Sequence, residues 1–253
     1  MSENNLMADK LLKAIQEEER DKTRGRLKIF FGYAAGVGKT YAMLKAAHEA
    51  KQRGIDVIVG YIEPHARPKT AALLHGLEVL PSKSVPYNGI TLREFDIDAA
   101  LQRKPQLILV DELAHTNADG SRHAKRYQDI KELLYAGIDV YTTVNVQHIE
   151  SLNDMVASIT GVFVRERIPD SIFDQADQVE LVDIEPQELI ERLKEGNVYR
   201  ESQAKRAVNN FFTVENLTAL REIALRRCAD RVNILTENSR IKSHGDYHTD
   251  EHI

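Results

Sequence analysis

Residues 32–40 read Gly-Tyr-Ala-Ala-Gly-Val-Gly-Lys-Thr, directly after the apolar run Leu27–Phe31 and directly before the alanine-rich stretch Tyr41–Ala50. Strand, glycine-rich turn and helix in that order are the setting of a phosphate-binding loop. Backbone N–H groups converge on an anion only where no Cβ stands in the way and a helix presents its positive end. On this reading Gly32, Gly36, Val37 and Gly38 form the cradle and Lys39 brings a point charge to the β- and γ-phosphates. The Thr40 hydroxyl is then one ligand of a bridging Mg2+. One slot departs from the usual spacing: Tyr33 stands six residues before the lysine, with the glycine one place earlier at Gly32, which predicts a wider mouth to the loop. The competing reading, a glycine-rich turn that binds nothing, is disfavoured by the complete Gly-Lys-Thr ending in this context.

A chain of 253 residues is enough for one large α/β domain or two small ones. With 34 Lys and Arg against 39 Asp and Glu, nothing points to a nucleic-acid-binding surface or a polybasic membrane anchor. Cys228 is the only cysteine, which rules out an intrachain disulfide and fits a reducing compartment. No apolar stretch approaches the length of about 20 residues that spans a bilayer, and the N-terminus is polar rather than signal-like. The expectation is a cytoplasmic chain that does not itself insert into a membrane.

Residues 1–24 suggest a short amphipathic helix, with Leu11, Leu12 and Ile15 among charges, and a lead into the core. From there, β-rich apolar runs alternate with helical segments. Leu27–Phe31, Asp56–Ile62, Ser84–Tyr87, Gln106–Val110, Ile138–Val144, Val162–Arg167 and Val179–Asp183 are the strand candidates, and their spacing implies βαβ crossovers. Gly54, Gly137 and Gly196 each follow a helical pattern as a left-handed C-cap. Near-continuous apolar strands such as Leu107–Val110 indicate a parallel sheet covered by helices on both faces. The last third reads as helices over Glu188–Leu193, Glu201–Phe212 and Glu215–Val232, the last with Leu217, Leu220, Ile223, Ala224 and Leu225 on its apolar stripe. The predicted architecture is therefore an α/β, P-loop NTPase-like, doubly wound and mainly parallel sheet over residues 25–237 with a helical C-terminal flank, and a linker or following domain at 238–253. The tail histidines His244, His248 and His252 are assigned no metal.

Ligands of open parallel sheets sit beyond the carboxyl ends of the strands. Leu107–Val110 runs into Asp111-Glu112, where Asp111 is the Mg2+-side carboxylate and Glu112 is placed to polarise a water or a substrate hydroxyl. An acidic loop start without function is the alternative. After the neighbouring strand, Glu63 is a candidate base and Arg67 a candidate for phosphate charge, against a solvated loop with a structural ion pair. Asn145 or His148 would sense the γ-phosphate, although a strand-end histidine is more often simply hydrogen-bonded. In the polar loop His115–His123, with Lys125 and Arg126 after it, a lid would close over the phosphates. Arg122 or Arg126 is its candidate arginine finger, against a solvated helix entrance.

With the loop motif, Gly60-Tyr61-Ile62-Glu63-Pro64-His65, Val110–Asn117 and Tyr141–Asn153 in order, the chain resembles the N-terminal domain of the KdpD potassium-sensor histidine kinases over about residues 8–235. The resemblance implies a cytoplasmic domain that binds ATP with Mg2+ through Lys39, Thr40, Asp111 and Glu112. It further implies partners in the remaining domains of a sensor kinase, and in a potassium-transport protein or response regulator. Family members tend to carry proline where this chain has Asp119, which predicts a looser lid. Full-length members continue into a universal-stress-protein-like domain, membrane helices and a kinase core, so the chain is expected to be a fragment or truncated member without histidine autophosphorylation of its own. Three functions compete. One is an ATP-binding regulatory module. The second is an active ATPase or protein serine kinase using Glu112, Glu63 and the basic loop. The third is a scaffold whose C-terminal helices bind a partner.

Overall fold

Short runs of Val, Ile, Leu and Phe leave both faces of a strand apolar, and such strands are stable only with helices packed above and below. The computed structural model, which describes residues 23–62, 68–87, 90–194 and 211–245, has that architecture. In chain order the first half holds β1 (Leu27–Gly32), α1 (Lys39–Gln52), β2 (Val57–Tyr61), α2 (Pro68–Ala72), β3 (Glu78–Val79), β4 (Lys83–Tyr87), β5 (Ile90–Glu94), α3 (Ile97–Arg103) and β6 (Leu107–Val110). The second half holds α4 (Arg126–Tyr135), β7 (Asp139–Asn145), α5 (Asn153–Thr160), α6 (Asp170–Asp174), β8 (Gln178–Leu181), α7 (Pro186–Lys194) and α8 (Val214–Gly245), with two 3-10 turns between β7 and α5. Six strands form one sheet in the order β3-β2-β6-β7-β1-β8, and every pairing in it is parallel. β4 and β5 form a separate antiparallel hairpin.

Alternation along each strand divides the core between the two faces of the sheet. Phe30, Val57, Val59, Leu107 and Leu109 pack on Met43, Leu44 and Ala47 of α1. Ile29, Phe31, Ile58, Ile108, Val110 and Val140 pack on the opposite side with Ile130 and Leu133 of α4, Leu189 and Leu193 of α7, and Leu217, Leu220 and Ala224 of α8. The arrangement is doubly wound, and β1 sits between β7 and β8. Loops at the carboxyl ends of β1, β6 and β7 are thereby brought side by side, with Gly32 paired to Asn145 in the β1–β7 register. Gly54 and Gly137 take φ values of 83° and 80° after α1 and α4, the left-handed caps expected of them.

The fold departs from the sequence reading in four places. Val162–Arg167 joins no sheet, and its neighbour Ile168 makes one isolated bridge, to Ile149. Its backbone is held instead by side chains, since the Asn153 amide donates to the Val164 carbonyl and the His148 ring bonds the Glu166 carbonyl. Ser84–Tyr87 is a strand, but of the hairpin rather than the parallel sheet. Leu225 turns out to solvent while Leu217, Leu220 and Ala224 are fully buried. Helix α8 continues past Glu237 to Gly245. Gly196, the N-terminal helix, Glu63 with Arg67, and most of Glu201–Phe212 lie outside the described residues.

Candidate functional site

The loop after β1 turns into α1 through Gly36 and Gly38, at φ 95° and 109°, conformations that L side chains avoid. At Gly32 the constraint is space: a Cβ there would lie 2.6 Å from Val37 Cγ2 and 3.1 Å from Lys39 Cδ, so only glycine lets the lysine stem fold over the strand end. Helix α1 has no side-chain cap and no acidic residue in its first turn. In contrast, α3 is capped by Asp96, whose carboxylate accepts from Ala99 N at 3.0 Å. The first-turn N–H groups of α1 therefore keep their positive end for something outside the helix.

Around that end the strand termini supply a defined set of side chains. Lys39 Nζ donates to the Ala34 carbonyl at 3.1 Å and to Asn145 Oδ1 at the end of β7. Thr40 Oγ1 donates to Asp111 Oδ2 at 3.1 Å, and the other Asp111 oxygen accepts from the Thr143 hydroxyl. Asp111 is 2 % exposed. Its carboxylate thus joins Thr40, at the start of α1, to β7 across the top of the sheet. The cleft is lined by Ala35, Gly36, Gly38, Lys39, Thr40, Asp111, Glu112, Ala114, His115, Thr143, Val144, Asn145, His148 and Glu166. Glu112 sits in the wall at φ 60°, a left-handed conformation that costs a non-glycine residue about 1–2 kcal/mol. It is held there by Glu112 N donating to Asp111 Oδ1 at 3.2 Å and Leu113 N donating to the Thr143 carbonyl at 3.0 Å.

The structure thus brings Gly36, Gly38, Lys39, Thr40, Asp111, Glu112, Asn145 and His148 to one cleft, with Gly32 and the buried Val37 beneath it. His148 is hydrogen-bonded through Nδ1 to the Glu166 carbonyl at 2.8 Å. Burial, with the Lys39 charge acting in the same direction, pushes its pKa down despite that bond, so its ring is neutral at pH 7. Tyr33 takes no part in the mouth of the loop. It is fully buried, and its hydroxyl donates to the Ile184 carbonyl at 3.1 Å.

The basic loop is not poised over the cleft. Arg122 pairs with Asp98 of α3 at 2.6 Å and with Glu132 of α4, and His123 bonds the same Glu132 at 2.7 Å. The base of the loop is closed by the Thr116–Lys125 bridge and by Asn117 N donating to the Ala124 carbonyl at 3.0 Å. Asp119 thus sits in a loop tied down at both ends, where a looser lid was expected. Arg126 is wholly buried. Its guanidinium donates to the Asp111 carbonyl at 3.2 Å, Asn117 Oδ1 at 3.2 Å and Glu94 Oε2 at 3.0 Å, and it lies 4.4 Å from the Tyr61 ring. Glu94 in turn accepts from Ala118 N at 3.0 Å and bonds His115 Nε2 at 3.2 Å. Arg126 is a buried brace beneath Asp111 and His115 rather than a finger.

Glu94, Glu166 and Thr143 were given no role by the sequence. Glu94 and Glu166 carry no local motif, being joined to the site by contacts to Arg126 and Thr116 N across 32 and 50 residues of chain. Thr143 could have been found, since it stands in the same strand-end segment as Asn145.

Among the described residues, no group of three or more His, Cys, Asp or Glu could hold a metal ion, and no helix is long and apolar enough to cross a membrane. The family model for the KdpD osmosensitive K+ channel His kinase sensor domain matches residues 23–232. Sensor protein KdpD of Clostridium acetobutylicum is 65 % identical over 231 residues, 91 % of this chain and 26 % of that protein. Sensor protein KdpD of Escherichia coli is 61 % identical over 210 residues, 83 % of this chain and 24 % of that protein. The chain spans about a quarter of the length of these curated relatives. Among solved structures, AMPPCP-bound DnaA from Aquifex aeolicus aligns with 96 % of this chain and 68 % of its own, at 16 % identity and a TM-score of 0.32, too loose a match to argue from. The extent and identity of the sequence matches place the chain in the KdpD sensor-domain family.

Proposed function

We propose that the chain is an ATP-binding regulatory module of a potassium-responsive, two-component sensor histidine kinase, with nucleotide occupancy altering its contacts with the rest of the sensor. The observation that carries the reading is the Thr40–Asp111 hydrogen bond beneath an uncapped helix start with Lys39 already over the loop. A hydroxyl and a buried carboxylate side by side are oxygen donors suited to Mg2+ and its water shell, so Thr40 and Asp111 would hold that ion. When bound, Mg2+ neutralises charge on the β- and γ-phosphate oxygens. Lys39 and the N–H groups of Gly36 to Thr40 bind and orient the phosphates, while Asn145, now the acceptor of Lys39, reports whether the lysine has moved onto the γ-phosphate. The partners on this reading are the remaining domains of the sensor, on the cytoplasmic side of its membrane, together with a potassium-transport protein or response regulator.

Calorimetric titration with Mg·ATP tests the proposal. Wild type should bind, and Lys39→Ala should bind at least tenfold more weakly. Equal affinity in the two proteins would refute it. A second reading, ATP hydrolysis or phosphoryl transfer to a protein serine, is favoured by one observation: Glu112 is held at the cleft wall in a strained conformation, where such strain tends to serve function. Its carboxylate would accept a proton from the attacking water or hydroxyl.

A further inference from the structure

The side chains gathered at the cleft come mainly from the β1, β6 and β7 ends of the sheet. Across the loop, on the β8 side of β1, the bare face of Gly38 has neighbours from a different part of the chain. A Cβ built on Gly38 would lie 4.0 Å from Arg192 Nη1 of α7 and 4.0 Å from Val182 Cγ1, just after β8. Arg192 is held by Glu188 one turn earlier on α7, and its side chain remains 38 % exposed.

The segment that carries Val182 is fixed from three directions. Val182 N donates to the Phe31 carbonyl at 2.7 Å, which continues the β1 ladder to the foot of the loop. The Tyr33 hydroxyl donates to the Ile184 carbonyl. Arg221 of α8 bonds Asp183 at 2.8 Å and Glu185 at 2.7 Å. The tyrosine in the unusual glycine slot thus ties the phosphate loop to the segment after β8.

Lys39, Asp111 and Asn145 set the γ-phosphate end on the β7 and β6 side. A polyphosphate laid along the start of α1 therefore emerges at its other end over Gly38, toward β8. We propose that the nucleoside end of the nucleotide lies there, with Val182 as its apolar contact and the Arg192 guanidinium on its base. A planar guanidinium stacks on aromatic faces and donates in the same plane. This assignment rests on the nucleotide reading of the cleft, and it makes Arg192 a residue that distinguishes a nucleoside triphosphate from bare polyphosphate.

The test is a pair of titrations, with Mg·ATP and with Mg·tripolyphosphate, on wild type, Arg192→Ala and Arg192→Lys. Arg192→Ala should weaken ATP by about 3- to 30-fold, the range for a guanidinium stacked on an aromatic face, and leave tripolyphosphate unchanged. Arg192→Lys should behave like the alanine variant, since an ammonium keeps the charge but not the plane. Loss of both ligands in parallel, full rescue by lysine, or no change in ATP affinity would each overturn the assignment while leaving the phosphate site standing. Failure of wild type to bind either ligand would overturn the phosphate site itself, and the assignment with it.

Discussion

Replacing Arg126 with methionine should cost far more than a surface change, and the structure sets the magnitude. The guanidinium is fully buried and serves three acceptors on three segments: the Asp111 carbonyl, Asn117 Oδ1 and Glu94 Oε2. Methionine fills much of the space but leaves the Glu94 carboxylate, 7 % exposed, without the guanidinium and with only the His115 ring and the Ala118 N–H as partners. Breaking a buried pair by removing one partner costs about 3–5 kcal/mol, against a total stability of about 5–15 kcal/mol for a domain. In a chain of this size each kcal/mol lowers the thermal midpoint by about 2–4 °C, so Arg126→Met should unfold about 6–20 °C below wild type. Adding Glu94→Gln removes the stranded charge, and the double variant should be less destabilised than the sum of the singles by about 0.5–3 kcal/mol. Thermal and urea unfolding of the four proteins supply the cycle. An Arg126→Met midpoint within about 2 °C of wild type, or strict additivity with Glu94→Gln, would refute the brace.

Two further outcomes follow from the same geometry. Glu94 is buried, which raises a carboxyl pKa, but the His115 hydrogen bond and charge, the Ala118 N–H and the Arg126 charge together hold it below the usual carboxylate range. Its contribution is therefore full above the unfolded value of about 4.3 and lost as pH falls through the lower folded value. The stabilities of wild type and Glu94→Gln should converge as pH drops from about 6 to 3, and parallel curves would contradict this. Asp129, whose pKa burial raises, has the opposite sign but is present in both proteins and cancels. At Glu112, with φ 60°, glycine relieves strain that alanine retains. Glu112→Gly should exceed Glu112→Ala in urea stability by about 0.5–1 kcal/mol, whereas a less stable glycine variant would mean the strain is not there.

How far the sequence could be read depended on whether a structure is encoded locally. That Gly36, Gly38, Lys39, Thr40, Asp111 and Asn145 meet at one cleft was legible because strand, turn and helix fall within a few residues and parallel topology brings strand ends together. β3 and β5 were not among the strand candidates, and β4 was not separable from the main sheet, since short apolar runs do not declare their partners. Val162–Arg167 has strand composition, but side chains of Asn153 and His148 take its carbonyls before any ladder can form. Arg126 and Arg122 both looked like fingers. Only their partners, a buried carboxylate for one and exposed Asp98 with half-buried Glu132 for the other, show that neither guanidinium points at the cleft. Tyr33 looked like a defect in a motif and is an anchor for the segment after β8.

Nucleotide binding in the cleft at Lys39 is tested by the thermal midpoint of wild type and Lys39→Ala with and without saturating Mg·ATP. Ligand at about 100 times its dissociation constant stabilises the native state by about 2.7 kcal/mol. That should raise the wild-type midpoint by about 5–11 °C and shift Lys39→Ala by clearly less, at most about 3–6 °C at the same ligand concentration. No shift in wild type, or an equal shift in both proteins, would contradict the account.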